Sequence, residues 1–184
     1  KDLKVTIDHF DNLTTEILDI SDLYRSQVVL VVSALDYFVH EFVLEEMIEI
    51  YRGNRPSTPA YKKFQIPIST TLLSDNRPSD IAIYSHIRYK HSWLSFQDPD
   101  KVADAIRLIS EKKIWEELSP IFLLTTRELK TKLKLIVDRR NKIAHEADMD
   151  PTYPGKKWDI SNYVVAEIIN FIEKLVNNLY QLIK

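Results

Sequence analysis

The chain has no cysteine and, in 184 residues, only two glycines, Gly53 and Gly155. Without cysteine there is no disulfide framework and no thiolate metal site. No compartment follows from that alone, but a reducing cytoplasm accords with it, and a cytoplasmic protein is the expectation. Two glycines are too few for the turns of an all-β protein or the phosphate loops of a nucleotide-binding α/β fold. Long apolar runs are also missing. The longest, Val28-Val29-Leu30-Val31-Val32, gives way to Ser33 and Asp36, too short to cross a bilayer, and the N-terminal residues lack the layout of a signal peptide. No membrane partner is expected. Nor does one sign of charge dominate: with a net charge of −2, any RNA contact must come from a local basic patch.

What remains is helical material. Hydrophobic residues make up 45% and charged residues 28%, the balance of one ordinary globular domain rather than a disordered chain. Residues 2–19 carry Leu3, Phe10, Leu13, Ile17 and Leu18 at a helical period. Ser21 or Asp22 is placed to cap a long second helix running to about Tyr51. That helix would be roughly 45 Å long. Its wide apolar stripe, Val28, Val31, Leu35, Phe38 and Phe42 with Val32, Val39, Val43 and Met47, calls for cover on more than one side.

Pro56, Pro59 and Pro67 mark a loop from Gly53 to Pro67. Short helices follow near Asp80–Tyr89, Pro99–Ser110 and Lys112–Leu118, the second opened by Asp98-Pro99. Residues 53–120 therefore read as an irregular helical insertion between two strongly periodic halves. Thr126 is read as the cap of the next helix, and a last one is predicted from about Ile160 to Leu182. The fold class is all-α: a single helical bundle over residues 1–184.

Arg140 stands out by position. It falls on the row Leu129, Leu133, Ile136, Arg140, Ile143 and interrupts an apolar helical face. An Arg there snorkels, pairs with a buried acid, or lines a groove. Asn141 lies four residues before His145, so those two share a face. Arg140 and His145 lie about 140° apart around an ideal helix. A joint site thus needs the reach of arginine, a helix ending near His145, or a second copy supplying the other half.

The segment Arg140-Asn141-Lys142-Ile143-Ala144-His145 resembles the motif of HEPN domains, an Arg followed within a few residues by His. With the preceding Ile136-Val137-Asp138-Arg139 and the following Glu146 it looks most like the RiboL-PSP-HEPN subgroup. The resemblance extends to the apolar second helix with its internal acid (Leu35-Asp36-Tyr37), the variable middle and the amphipathic last helix. It implies metal-independent endoribonuclease activity without a cofactor, from a homodimer whose motif helices face each other. Toxin–antitoxin or phage-defence settings are implied too, as is a cognate antitoxin or neighbouring protein as partner.

In such a site His145 serves as base or acid, because imidazole titrates near neutrality. Arg140 holds a phosphate oxygen through a forked contact, and Asn141 orients His145 or donates to phosphate. Asp36 has two readings: it orients Arg140, or it makes an ordinary contact with His40 one turn on. Arg139 offers a second spacing to His145; Arg140 is preferred for its inward row and its following Asn. Some toxin-like relatives carry Tyr two residues after the His, where this chain has Ala147. The plainer alternative for the pair is structural, an Arg paired with an acid and a His at a helix C-terminus. A non-catalytic module that binds RNA or a nucleotide, or mediates assembly, is the alternative function.

Candidate RNA contacts are Lys134 and Lys142 on the motif helix, and Arg88 and Lys90 within His86-Ile87-Arg88-Tyr89-Lys90-His91-Ser92-Trp93. That last stretch mixes cations with aromatics, as single-strand stacking surfaces do. Its ordinary reading, solvated charge with Trp93 packed inward, is preferred. Trp115 and Trp158 are expected to close the core. No metal set is recognisable, since His86 and His91 lack a third ligand at a suitable spacing.

Overall fold

The computed structural model describes Val5, residues 19–68 and residues 78–184. The predicted first helix, with Leu3, Phe10, Leu13, Ile17 and Leu18, lies outside the described residues. The elements that follow are all helical. They are α1 (Ser21–Arg52), α2 (Pro59–Lys62), α3 (Asp80–His91), α4 (Pro99–Arg107), α5 (Ile114–Leu118) running into a 3₁₀ turn (Ser119–Phe122), α6 (Thr126–Glu146) and α7 (Asn162–Ile183).

With 32 residues, α1 is about 48 Å long and forms the spine. It packs against α7, α3, α6 and α4, the several-sided cover its wide stripe demands. By length and composition it is apolar enough to cross a bilayer. Here Val28, Val32, Leu35, Val39, Val43 and Met47 are instead sealed by neighbouring helices. Its exposed residues, Asp22, Ser26, Leu30, Ala34 and Tyr37 among them, recur at a helical period as one solvent stripe. Gly53 ends the helix in the left-handed region at φ 85°, its N–H reaching the Ile50 carbonyl, a conformation that suits glycine.

Neither Ser21 nor Asp22 caps α1. Ile20 holds the cap position with no side-chain bond, and the Ser21 N–H donates to the Asp19 carboxylate at 2.9 Å. The cap of α6 is Thr125 rather than Thr126. Its hydroxyl accepts from the Glu128 N–H while Glu128 accepts from the Thr125 N–H. That reciprocal pair needs a spacing of three residues, which Thr126 does not have. Asp98 caps α4 as expected, accepting from Asp100 and Lys101. The predicted loop after Gly53 contains α2, capped by Thr58.

The described part of residues 53–120 shares the core rather than standing apart from it. Ile83, Ile87, Phe96, Val102, Ile106, Ile114, Trp115 and Leu118 join α1, α6 and α7 in one apolar cluster. The Trp115 indole N–H donates to the Pro99 carbonyl at 2.9 Å, so Trp115 closes the core as expected. Glu46, buried near the C-terminal end of α1, is held by Arg55 and by the ammonium of Lys184.

Candidate functional site

The motif helix α6 turns its two principal side chains in different directions. Leu129, Leu133, Ile136 and Val137 are buried, and Arg140 continues that row as a half-buried residue. His145 is exposed in the last turn. It falls on an exposed stripe with Thr131, Leu135, Asp138 and Lys142. The helix ends at Glu146, and Ala147 and Asp148 take left-handed φ values of 52° and 57°. A helix end near His145 was one of the conditions for a joint site. Convergence within one chain does not follow from it: Arg140 and Asn141 line a cleft of about 240 Å³ that His145 does not line.

That cleft lies between α6 and the segment joining α3 to α4, with Ser95, Gln97, Asp98, Lys101, Lys134 and Asp138 as further walls. Its cations outnumber its carboxylates, with Arg140, Lys101 and Lys134 facing Asp98 and Asp138. Arg140 donates from one Nη to the Asn141 side-chain oxygen at 3.0 Å. Its Nε is buried and has no acceptor among the described residues. A buried guanidinium N–H without a partner is costly, and an anion in the cleft is the kind of group that would relieve it. Asn141 thus orients Arg140; no bond from it to His145 is present among the described residues.

Arg139 belongs to a different structure. Its Nη2 donates to Asp148 at 2.8 Å and to the Asp159 carbonyl at 3.1 Å. Arg25 Nε reaches the same Asp148 oxygen at 2.8 Å, and its Nη2 reaches the Trp158 carbonyl at 2.6 Å. Asp148 has no exposed surface. Burial lowers the Arg139 pKa, against the opposing pull of Asp148. Arg139 is therefore a fastening between α6, α1 and the turn before α7, and of the two arginines it is Arg140 that lines the cleft. Sequence reasoning missed Asp148 and Arg25. The signal was available: Arg25 precedes Val28, Val32 and Leu35 on the inward row of α1, and an arginine there needs a buried acid.

Asp36 does not reach Arg140. Its carboxylate accepts from the Phe96 N–H at 2.5 Å and from the Gln97 side-chain amide at 3.2 Å. The His40 ring also lies near it, at 3.7 Å. Asp36 thus fixes one wall of the cleft through Gln97, a residue whose part could not be read from sequence because the contact spans some sixty positions.

Of the four candidate RNA contacts, Lys134 is exposed and lines the cleft. Lys142 sits over the Trp158 ring at 5.6 Å. Arg88 is engaged by Tyr84 and Glu41 and Lys90 by the Gln65 carbonyl; the Tyr84 hydroxyl, then Glu41, raises the Arg88 pKa. Trp93 reverses the expectation for this stretch: it is 79% exposed, not packed inward. Trp158 is half-buried, part of the Arg25–Asp148 cluster rather than of the central core.

A sequence profile of the family described as RiboL-PSP-HEPN matches residues 1–184, the whole chain. No curated protein and no solved structure matches the chain.

Proposed function

The chain belongs to the RiboL-PSP-HEPN family, and on that premise we propose that it is a metal-independent endoribonuclease acting at a composite site formed by two copies. The observation that carries this reading is the Arg140 guanidinium, which lines the α6 cleft with a buried, unpartnered Nε. Such a group is set to grip a phosphate oxygen through a charge-assisted, forked contact. Lys134 and Lys101 add positive charge along the same cleft.

The chemistry needs no cofactor. The 2′-oxygen attacks the adjacent phosphorus and the bond to the 5′-oxygen breaks, leaving a 2′,3′-cyclic phosphate and a free 5′-hydroxyl. One His145 takes the proton of the 2′-hydroxyl, and the His145 of the second copy gives a proton to the departing oxygen. Arg140 stabilises the charge that builds on the phosphorane. Two features support a two-copy site. His145 does not line the Arg140 cleft of its own chain, and Leu135 on the His145 stripe is exposed, an apolar residue suited to a facing helix.

The test is cleavage of single-stranded RNA in EDTA. Wild-type protein is expected to leave cyclic-phosphate ends. His145→Ala should lower the rate about 10²- to 10⁴-fold and Arg140→Ala about 10²- to 10³-fold. Cleavage that requires added metal, or equal rates in all three proteins, would sink the proposal. The separation of His145 from the cleft also favours a second reading, a non-catalytic HEPN module that binds RNA or a nucleotide. On that reading wild-type protein cleaves nothing, yet Arg140→Ala loses RNA binding.

A further inference from the structure

Trp93 is 79% exposed, with Tyr89 at 64% and Leu94 at 51% beside it in sequence. A large aromatic left in water at the end of a helix contributes little to folding. The backbone around it is nonetheless ordered by hydrogen bonds. The Ser92 N–H reaches the Arg88 carbonyl and the Leu94 N–H reaches the His91 carbonyl, each at 2.9 Å. The chain therefore coils for one more turn past α3. Tyr89, on the last turn of α3, and Trp93, in the turn just past it, are both exposed.

The next residues are clamped. Asp36 holds the Phe96 N–H and the Gln97 amide, and the Phe96 ring packs on His40 with centroids 4.5 Å apart. Ser95 and Gln97 are walls of the Arg140 cleft. Trp93 is two residues from Ser95, so their Cα atoms are at most about 7 Å apart, a distance that one or two nucleotides bridge. Two acids, Asp36 and Glu41, line this edge beside Ser92 and Leu94; Glu41 is paired with Arg88 at 2.7 Å, and Asp36 accepts from the Phe96 N–H and the Gln97 amide.

Resting on the RNA reading of that cleft, we propose that Trp93, with Tyr89 beside it, is a stacking platform for an unpaired nucleobase flanking the phosphate held at Arg140. Base stacking on an aromatic face tolerates any base but needs it free of a duplex. The substrate class is thereby single-stranded RNA, or a loop, with little sequence preference at the stacked position.

The test uses tryptophan fluorescence with a short single-stranded oligoribonucleotide bearing 2′-O-methyl groups, which block attack and cleavage. Trp115 is buried and Trp158 half-buried, so Trp93 is the fluorophore best placed for contact quenching. The oligonucleotide is expected to quench wild-type emission, and its duplex is not. Trp93→Ala should remove that quenching and weaken binding by roughly 5- to 150-fold, the loss of one stacked base. Trp93→Phe should restore most of the affinity.

Arg140→Ala separates the two readings. Quenching that persists in this variant while wild-type protein cleaves nothing keeps the platform and defeats the nuclease. RNA cleaved normally by both wild type and Trp93→Ala, with no quenching, defeats the platform and keeps the nuclease. A Trp93→Ala protein that binds RNA as wild type does but dissociates into single copies overturns the inference, because Trp93 is then a contact between chains.

Discussion

Asp148 shows what a single carboxylate does when it is wholly enclosed. It takes Arg25 from α1 and Arg139 from α6 on one oxygen, 2.8 Å from each. Removing it strands two guanidinium groups, one of them, that of Arg25, itself buried. Asp148→Ala is therefore expected to lower stability by about 3–5 kcal/mol, measured by urea unfolding. A loss below about 1 kcal/mol would mean the cluster behaves as a surface pair. His91 gives a second test at this scale. Burial among Phe64, Phe96 and His40, then the charge of His40, lowers its pKa from 6.5 to about 4. The unfolded chain thus takes up a proton that the native state refuses. The associated stability is complete above about pH 6.5 and falls away as the pH drops toward 4. Between pH 7 and pH 5 the loss should be roughly 2 kcal/mol. His91→Phe should flatten that slope in urea titrations at the two pH values. An unchanged slope would show that other groups set it.

The elements were largely legible because they rest on periodicity. The long helix, the motif helix and the last helix follow from apolar rows, and the structure places them within a few residues of the predicted limits. Boundaries were less so, for reasons that can be named. The Thr125-Thr126 pair offers two hydroxyls, and only the count of three residues to Glu128 selects Thr125. Thr125→Ala removes the hydroxyl half of that reciprocal cap and should cost about 1 kcal/mol, whereas Thr126→Ala should cost less than half of it; thermal or urea unfolding of both variants ranks them. At α1, Asp19 satisfies a first-turn N–H from outside the helix, and Ile20 rather than Ser21 or Asp22 holds the cap position. Tertiary pairings across long separations were not legible at all. Trp93 looked like a core residue by type, but the clamp that holds its loop against α1 leaves the indole outside, and nothing local to residues 86–93 signals that.

On the scale of the whole molecule, one chain presents Arg140 on one side of α6 and His145 on another. The proposed site draws on the His145 of both copies, so mixing two inactive variants tests it. Arg140→Ala and His145→Ala proteins should stay inactive after mixing and subunit exchange, since every mixed dimer holds a single His145. Release of cyclic-phosphate ends measures the outcome. Recovery to about a quarter of wild-type activity, as when half the dimers carry one intact site built from Arg140 of one copy and His145 of the other, would overturn the two-imidazole chemistry.

The grip of Asp36 on Phe96 and Gln97 has a consequence that reaches beyond the pair of bonds. The backbone stretch it tethers bears the indole at one end and a wall of the guanidinium's cleft at the other, so the spacing between where a base would rest and where its phosphate would be seized is set by a side chain that touches neither. On the proposed reading, shortening or neutralising that acid would let the two grips drift apart, and an RNA strand held by both would slip from both at once.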